Sequence, residues 1–167
     1  MNLPIRALDA SDAARIERHL LRLSPGDRSL RFAAGVVSDD TVREYVARIR
    51  FGNDALLGID DDRGELVAFA HGCVYSVGKR ARVEVAFSVD AQRRRLGCGA
   101  ALMARMRAFA ESIGAHCVVG MCLARNLPMR AIFARAGMTM TRDGDEVHAT
   151  CQLSRRDAAP LETPLAA

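Results

Sequence analysis

Short runs of alternating apolar and polar residues recur along the chain, the pattern that is typical of strands with one buried face. The clearest run covers residues 82–89, in which Val83, Val85, Phe87 and Val89 alternate with more polar or smaller residues. The same pattern predicts six more strands, at residues 3–8, 55–59, 65–74, 116–123, 138–142 and 147–153.

Four other segments carry apolar residues at helical spacing and are predicted to be helices. Their signals are Ile16, Leu20 and Leu23 after a cap at Ser11 or Asp12; Val42, Tyr45, Val46 and Ile49 after residues 38–40; Leu102 through Ile113 before Gly114; and residues 126–136. The segment Ser24-Pro25-Gly26-Asp27 is expected to end the first helix, and residues 28–37 to form a loop or short turn. The resulting order, βααβββαβαββ, predicts a single mixed α/β domain.

The length of 167 residues fits one domain. Residues 1–153 are predicted to form it, and residues 154–167 to form a flexible tail. No apolar run approaches the length of a membrane span, and the N-terminus lacks the pattern of a signal peptide. Five scattered cysteines without a C-x-x-C pair are typical of a reduced, cytoplasmic protein, and the scattered histidines predict no metal site.

The positive net charge raises the question of whether the protein binds a polyanion such as a nucleic acid. The formal net charge is +4, and Lys79 is the one lysine among 24 basic residues. Arginine binds phosphate well because its planar fork donates two parallel hydrogen bonds. However, the aromatic fraction of 5% and the lack of tryptophan supply little for stacking on bases. A nucleic-acid partner is therefore not expected.

The most informative segment is a basic, glycine-bearing loop between the strand at residues 82–89 and the long helix. The sequence Arg94-Arg95-Leu96-Gly97-Cys98-Gly99 leads directly into that helix. A helix start has unpaired backbone N–H groups and a partial positive charge, and glycines let a ligand approach closely. The spacing R-x-x-G-x-G is neither a nucleoside-triphosphate loop nor a dinucleotide fingerprint. It predicts a pyrophosphate site, with a basic helix start and packing glycines as the alternative.

This loop, the helix and strand after it, Asn126, and a short helix ending in Gly137-Met138 together resemble the GNAT superfamily of acetyl-CoA-dependent N-acetyltransferases. The core of the resemblance is VEVAFSVDAQRRRLGCGAALMARMRAFAESIGAHCVVGMCLARNLPMRAIFARAGM, residues 83–138. Residues 23–32, LSPGDRSLRF, also resemble bacterial protein-lysine acetyltransferases. The resemblance covers about residues 3–153 and implies a GNAT-like sheet splayed between its fourth and fifth strands. It implies acetyl-CoA as cosubstrate, and we expect a monomer or homodimer.

The resemblance also implies which residues meet acetyl-CoA. The pyrophosphate would lie on backbone N–H groups within Arg94, Arg95, Leu96, Gly97, Cys98, Gly99 and Ala100. The pantetheine arm would pair, like an extra strand, with Phe87, Ser88 and Val89. Asn126 would bind the same arm, although an asparagine there is equally suited to cap the following helix.

Glu84 is the general base that the resemblance implies. A base is useful because an alkyl amine, with a pKa near 10.4, is mostly protonated at neutral pH. The alternative for Glu84 is a strand carboxylate paired with Arg82 or another exposed arginine.

The general acid has no clear candidate in the sequence. Phe133 stands where many GNAT enzymes have a tyrosine, and it has no proton to donate. Tyr45, Tyr75 and Ser88 stay open as substitutes. Cys98, at a helix start beside arginines, is expected to have a lowered pKa but no catalytic role.

These features predict an N-acetyltransferase that moves the acetyl group of acetyl-CoA directly to a primary amine. A protein lysine is slightly favoured as acceptor over a small-molecule amine. Specificity is expected in residues 23–37, the turn at 76–80 and the last hairpin, since such segments vary on one scaffold. A non-catalytic acyl-CoA-binding sensor is the alternative, which the missing tyrosine permits and Glu84 opposes.

Overall fold

The computed structural model describes residues 4–153, so the expected strand start at residue 3 and the expected tail at 154–167 lie outside the described residues. The strands are β1 (Ile5–Ala7), β2 (Ala55–Asp60), β3 (Leu66–Val77), β4 (Arg80–Val89), β5 (Cys117–Leu123), β6 (Thr139–Asp143) and β7 (Glu146–Gln152). The helices are α1 (Ala13–Arg22), α2 (Pro25–Phe32), α3 (Asp39–Ala47), α4 (Cys98–Ser112) and α5 (Leu127–Arg135). Short 3₁₀ turns occupy Ala10–Asp12 and Ala91–Arg93.

The seven strands form one sheet in the order β1-β2-β3-β4-β5-β7-β6. All neighbouring strands are antiparallel except β4 and β5, which run parallel. Parallel neighbours need a crossover of a dozen or more residues, and α4 supplies it. The mixed α/β fold class that the sequence predicts is confirmed.

Two apolar clusters lie on opposite faces of the sheet. The cluster beneath α1 and α3 includes Ile16, Leu20, Val42 and Phe69. The cluster beneath α4 and α5 includes Val83, Leu102, Met106 and Phe133. Because side chains alternate along a strand, Val83 on the α4 side places Glu84 and Ser88 of β4 on the α1 side. Within residues 4–153, no helix is long and apolar enough to span a membrane.

Residues 25–32 form a helix where the sequence predicts a break followed by a loop. The Ser24 hydroxyl accepts a hydrogen bond from the Asp27 N–H (3.1 Å), and Pro25 lies in the first turn of α2. The same segment therefore ends α1 and starts α2, since proline breaks a helix interior but is tolerated in a first turn. The order of elements becomes βαααβββαβαββ, with three helices rather than two before the second strand.

Candidate functional site

The fourth and fifth strands of the sheet pair over three residues and then separate. Arg82, Val83 and Glu84 of β4 lie opposite Cys117, Val118 and Val119 of β5. The strands have no register partners in common over residues 85–89 of β4 and 120–123 of β5, and we call this gap the cleft. Among the residues that the structure describes, no strand is hydrogen-bonded to the edge of β4 that faces the cleft, so its backbone groups are open to a ligand.

The cleft leads to a cavity of about 560 Å³ between β4, α2, α5 and the start of α4. All but one of the residues expected to bind acetyl-CoA line this cavity: Phe87, Ser88, Val89, Arg94, Arg95, Gly97, Cys98, Gly99, Ala100 and Asn126. Leu96 is the exception, with 46% of its surface exposed. Glu84 does not line the cavity either, because it lies at the end of the cleft where β4 and β5 come together.

The loop before α4 turns into the helix through two left-handed residues, Arg95 (φ 62°) and Gly97 (φ 86°). Gly97 is the N-cap of α4 and has no side chain to accept the first N–H groups. The Ala101 N–H donates to the Gly97 carbonyl (3.0 Å), which leaves the N–H groups of Cys98, Gly99 and Ala100 without an acceptor inside the helix. These groups belong to residues that line the cavity, an arrangement suited to a phosphate.

Ion pairs and hydrogen bonds fasten α2 across the cleft. Arg94 Nη2 lies 2.7 Å from Asp27 Oδ1, at the loop end of the helix. Burial raises the pKa of Asp27, but hydrogen bonds from Arg94 and Ser24 outweigh it and hold the pKa below its usual value. On the other side of the cleft, Arg125 Nη2 donates to Ser29 Oγ (2.9 Å). The helix α2 therefore covers the cleft on the face where Glu84 lies.

The pKa of the Cys98 thiol differs from the sequence-based expectation. Its side chain is buried, with Sγ 3.5 Å from the Arg93 carbonyl oxygen. Burial raises the pKa of the Cys98 thiol and outweighs the lowering effect of Arg93. The expectation of an acidified thiol is therefore wrong, because desolvation outweighs the nearby positive charge. All five cysteines are free, and the described part of the chain holds no group of three or more His, Cys, Asp or Glu side chains placed to bind a metal ion.

Asn126 caps α5 with its side-chain oxygen, which accepts a hydrogen bond from the Met129 N–H (3.1 Å). Its side-chain amide nitrogen has no hydrogen-bond partner among residues 4–153. Because Asn126 also lines the cavity, this nitrogen is available as a donor to a ligand. The helix cap and a ligand contact are therefore compatible in one side chain.

Glu84 is exposed and has no ion pair among the described residues. No Lys, Arg or His nitrogen of residues 4–153 lies within 4.0 Å of its carboxylate. The alternative of a carboxylate paired with Arg82 is therefore not what the structure contains. Glu84 is the last residue of β4 to pair with β5, so its carboxylate stands at the point where the cleft begins.

Ser88 connects the cavity to a histidine of α1 that is completely buried. His19 Nε2 lies 2.9 Å from Ser88 Oγ, and Nδ1 lies 3.0 Å from the Leu66 carbonyl oxygen and 3.2 Å from Asp90 Oδ1. Both neighbours of Nδ1 are acceptors, so Nδ1 carries a proton, and the hydrogen bond between Nε2 and Ser88 Oγ fixes the other side of the ring. Burial raises the pKa of Asp90, but His19 and Arg22 outweigh it and lower the pKa.

Removing this histidine is expected to destabilise the fold strongly. His19→Ala would leave a cavity and strip the Ser88 hydroxyl of its partner, for a loss of about 2–4 kcal/mol in the free energy of unfolding. The exposed His148 of β7 supplies the control, since His148→Ala should change stability by less than about 0.5 kcal/mol. Urea unfolding of both variants measures the difference, and equal midpoints would contradict a structural role for His19.

A second group of hydrogen-bonded side chains, which we call the Tyr45 network (Arg31, Tyr45 and His71), lies beside the cleft and was not expected from the sequence. Tyr45 Oη accepts a hydrogen bond from Arg31 Nη2 (2.6 Å) and lies 2.6 Å from His71 Nδ1. His71 Nε2 lies 3.2 Å from Asp54 Oδ2 but without hydrogen-bond geometry. Burial raises the pKa of Tyr45 and lowers the pKa of His71, so both are neutral at pH 7. His71 lies opposite Ala86 of β4, which places the Tyr45 network on the same face of the sheet as Glu84, the expected base.

Phe133 packs in the core and does not line the cavity. It is completely buried, and a Cβ added at Gly120 of β5 would lie 2.7 Å from its Cζ atom. The ring therefore packs against the backbone of β5, as core packing requires. Of the open substitutes, Tyr45 Oη is hydrogen-bonded to His71, Ser88 Oγ is hydrogen-bonded to His19, and Tyr75 does not line the cavity, so the general acid stays unassigned.

The model of the acetyltransferase (GNAT) family matches residues 24–138. Among solved structures, the GNAT domain of PAT from S. lividans is 23% identical, covers 89% of this chain and 89% of its own, and superposes with a TM-score of 0.74. Phosphinothricin acetyltransferase from Sinorhizobium meliloti, in complex with AcCoA, is 16% identical, with coverage of 95% and 92% and a TM-score of 0.71.

Spermidine N-acetyltransferase from Vibrio cholerae, in complex with CoA and spermine, is 15% identical. The match covers 90% of this chain and 95% of the spermidine enzyme, with a TM-score of 0.68. No curated protein sequence matches the chain significantly. At these identities the solved structures show a common fold, whereas the family model spans more than half of the chain. The chain therefore belongs to the GNAT family of acetyltransferases.

Proposed function

We propose that this protein transfers the acetyl group of acetyl-CoA to a primary amine, with Glu84 as the general base. The observation that carries the proposal is the position of Glu84 at the last paired residue of β4, where the cleft begins. Its carboxylate is exposed and has no cationic partner among residues 4–153, so it is free to take a proton. A general base of this kind contributes about 10²- to 10⁴-fold to a rate.

The cleft and its loop fit acetyl-CoA. The open edge of β4 at residues 85–89 would receive the amide groups of the pantetheine arm in the manner of an added strand. The N–H groups of Cys98, Gly99 and Ala100 would hold the pyrophosphate, and the free amide nitrogen of Asn126 would donate to the arm. Acetyl-CoA supplies the acetyl group as a thioester, whose transfer forms an amide with the amine and releases the CoA thiol.

The residues of the chain act on the amine and on developing charge. A protonated amine has no lone pair with which to attack a carbonyl, and its pKa near 10.4 keeps it protonated at pH 7. Glu84 takes a proton from the ammonium group, which frees the lone pair of the nitrogen to attack the thioester carbonyl. The C–S bond then breaks as the amide forms, and the second proton that the nitrogen loses neutralises the CoA thiolate. We expect a backbone N–H on the open edge of β4 to stabilise the negative charge on the carbonyl oxygen.

The acceptor is the open part of this function. The likeness of residues 23–32 to bacterial protein-lysine acetyltransferases favours a protein lysine. The structural neighbours were solved with other ligands or named for other acceptors, such as spermine and phosphinothricin. Because α2 covers the cleft on the Glu84 side, its side chains are placed to select the acceptor.

A second candidate, a sensor that binds acyl-CoA without turnover, draws on Phe133. This residue is buried and has no hydroxyl, so the usual proton donor for the thiol is missing. A CoA thiolate is nevertheless a tolerable leaving group, since thiols have pKa values near 8.5. The sensor would leave the exposed Glu84 without a role, and transfer is therefore the preferred function.

The test combines binding and turnover. Calorimetry with CoA and with acetyl-CoA measures affinity, and release of the CoA thiol measures transfer across lysine peptides, amino acids, polyamines and aryl amines. Amine-dependent thiol release, with an acetylated product found by mass spectrometry, supports the transferase. Binding without release for every amine supports the sensor, and absence of binding overturns both functions.

A further inference from the structure

We propose that Arg31 of α2 binds an anionic group of the acceptor, so that the preferred acceptor is a small amine carrying a carboxylate or a similar anion, as an α-amino acid does. The inference rests on the proposed function and narrows it. It replaces the protein lysine as the favoured acceptor with a zwitterionic small molecule.

The half-buried arginines that have no carboxylate partner among the described residues lie around the cleft. Six arginines of residues 4–153 are half-buried, and three of them pair with aspartates elsewhere in the fold: Arg6, Arg15 and Arg28. The other three, Arg31, Arg82 and Arg93, have no carboxylate oxygen within 4.0 Å among the described residues. Arg31 and Arg93 line the cavity, and Arg82 lies two residues from Glu84 on the same face of β4. Positive charge without a protein counter-ion is therefore gathered around the cleft.

Arg93 belongs to the loop expected to hold the pyrophosphate, whereas Arg31 lies farther along α2. Asp27, which binds Arg94 of that loop, is four residues before Arg31, so the two side chains lie on one face of the helix about 6 Å apart along its axis. Arg31 lies next to Tyr45 and His71, and His71 lies opposite Ala86 of β4. Arg31 is thus at the acceptor end of the cavity rather than at the phosphate end.

The guanidinium of Arg31 is held in one orientation with hydrogen-bonding capacity left over. Its Cζ lies 5.0 Å from the ring centroid of Tyr45 and 5.2 Å from that of Phe32, and Nη2 donates to Tyr45 Oη. Tyr45 accepts this bond because a guanidinium has donors only, and the same hydroxyl is also hydrogen-bonded to His71 Nδ1. Arg31 Nε is buried and has no hydrogen-bond partner among residues 4–153. Arg31 Nη1 makes no hydrogen bond within residues 4–153 either and is not buried, so in a side chain that lines the cavity it is the donor that an anionic ligand would meet.

The charges also argue against a polycationic acceptor. Asp54, the carboxylate beside His71 of the Tyr45 network, is neutralised by Arg50, whose Nη2 lies 2.7 Å from Asp54 Oδ1. A polyamine would bring further positive charge toward Arg31 and Arg82, which like-charge repulsion disfavours. An amine with its own anion compensates Arg31, and the nearby positive charge lowers the pKa of the amine, which eases its deprotonation by Glu84.

The test compares acceptors that differ in the anion alone: phenylalanine, phenylalaninamide and phenethylamine, with a lysine peptide and spermidine alongside. Phenylalanine should have the highest kcat/KM of the set. Arg31→Met should lower kcat/KM for phenylalanine by about 10- to 100-fold, mainly through KM, because one charge-assisted hydrogen bond is lost. The values for the amide and for phenethylamine should stay within about twofold. An aminophosphonate of the same skeleton shows whether carboxylate or phosphonate is the better anion.

Binding without turnover gives a second readout. Calorimetry of phenylalanine against the protein saturated with CoA should show a Kd that Arg31→Met raises by a similar factor and Arg31→Lys by less. The matched control is Arg105→Met on the exposed side of α4, which should change neither value. Better turnover of spermidine or the lysine peptide than of any anionic amine overturns the inference and leaves the acetyltransferase standing. An equal loss for all acceptors in Arg31→Met identifies a merely structural residue, whereas failure of every amine in the wild type overturns the proposed function itself.

Discussion

Replacing Glu84 with glutamine is expected to lower kcat for acetyl transfer by about 10²- to 10⁴-fold, the usual contribution of a general base. Glutamine has nearly the same shape but accepts no proton, so the amine loses the group that would deprotonate it. The affinity for CoA should not change, because Glu84 does not line the cavity. Steady-state kinetics with a saturating acceptor and calorimetry with CoA measure the two effects separately.

The pH profile distinguishes a base from a residue that only shapes the site. In Glu84→Gln the rate should keep rising with pH toward the pKa of the acceptor amine, because the amine then deprotonates without help. Glu111→Gln is the matched control, since Glu111 is an exposed carboxylate of α4 that pairs with Arg107 at 3.0 Å. Unchanged kcat in Glu84→Gln at neutral pH would exclude Glu84 as the base.

Gly97→Val is expected to weaken CoA binding by about 10- to 100-fold. Gly97 has a φ of 86°, and a β-branched residue is strained there by about 1–2 kcal/mol. Relief of that strain would turn the first N–H groups of α4 away from the cavity, and the loss of one charge-assisted hydrogen bond accounts for the expected factor. Calorimetry with CoA measures the change in Kd.

The other end of α4 provides a control with the same backbone strain. Gly114 has a φ of 66°, and a Cβ added at Gly97 or Gly114 would meet no atom of residues 4–153 within 4 Å. Gly114→Val should therefore cost a similar free energy of unfolding without changing the Kd for CoA. Equal weakening of CoA binding in both variants would mean that general destabilisation, rather than the loop, is responsible.

The sheet and the left-handed turn into α4 were predictable because their signals are local. The alternation in residues 82–89 reveals both faces of β4, and the R-x-x-G-x-G spacing marks the start of α4. Gly99 could be recognised by its spacing, but its packing role could not: a Cβ there would lie 2.6 Å from Ile132 Cδ1 of α5. The helix α2 escaped prediction because Ser24-Pro25 is both a stop signal and a start signal.

The polar contacts around the cleft could not be predicted because they join distant parts of the chain. His19 and Ser88 are 69 positions apart, and Tyr45 and His71 are 26 apart. Nothing in the spacing of a single sequence pairs such residues. The pKa of Cys98 is a similar case, since its direction depends on how deeply the thiol is buried and not on which residues flank it.

The short pairing between β4 and β5 has a consequence for how the chain folds. The strands β2, β3 and β4 follow one another along the chain, so their contacts are local, whereas the α4 crossover separates β5 from β4 in the sequence and makes their pairing less local. With three residue pairs joining the two halves of the sheet, the width of the cleft also depends on the helices that contact both halves: α4 through the core, and α2 through the bonds of Asp27 to Arg94 and of Ser29 to Arg125. We therefore expect the catalytic geometry to be completed late in folding, and to respond to substitutions in these two helices as well as in the strands.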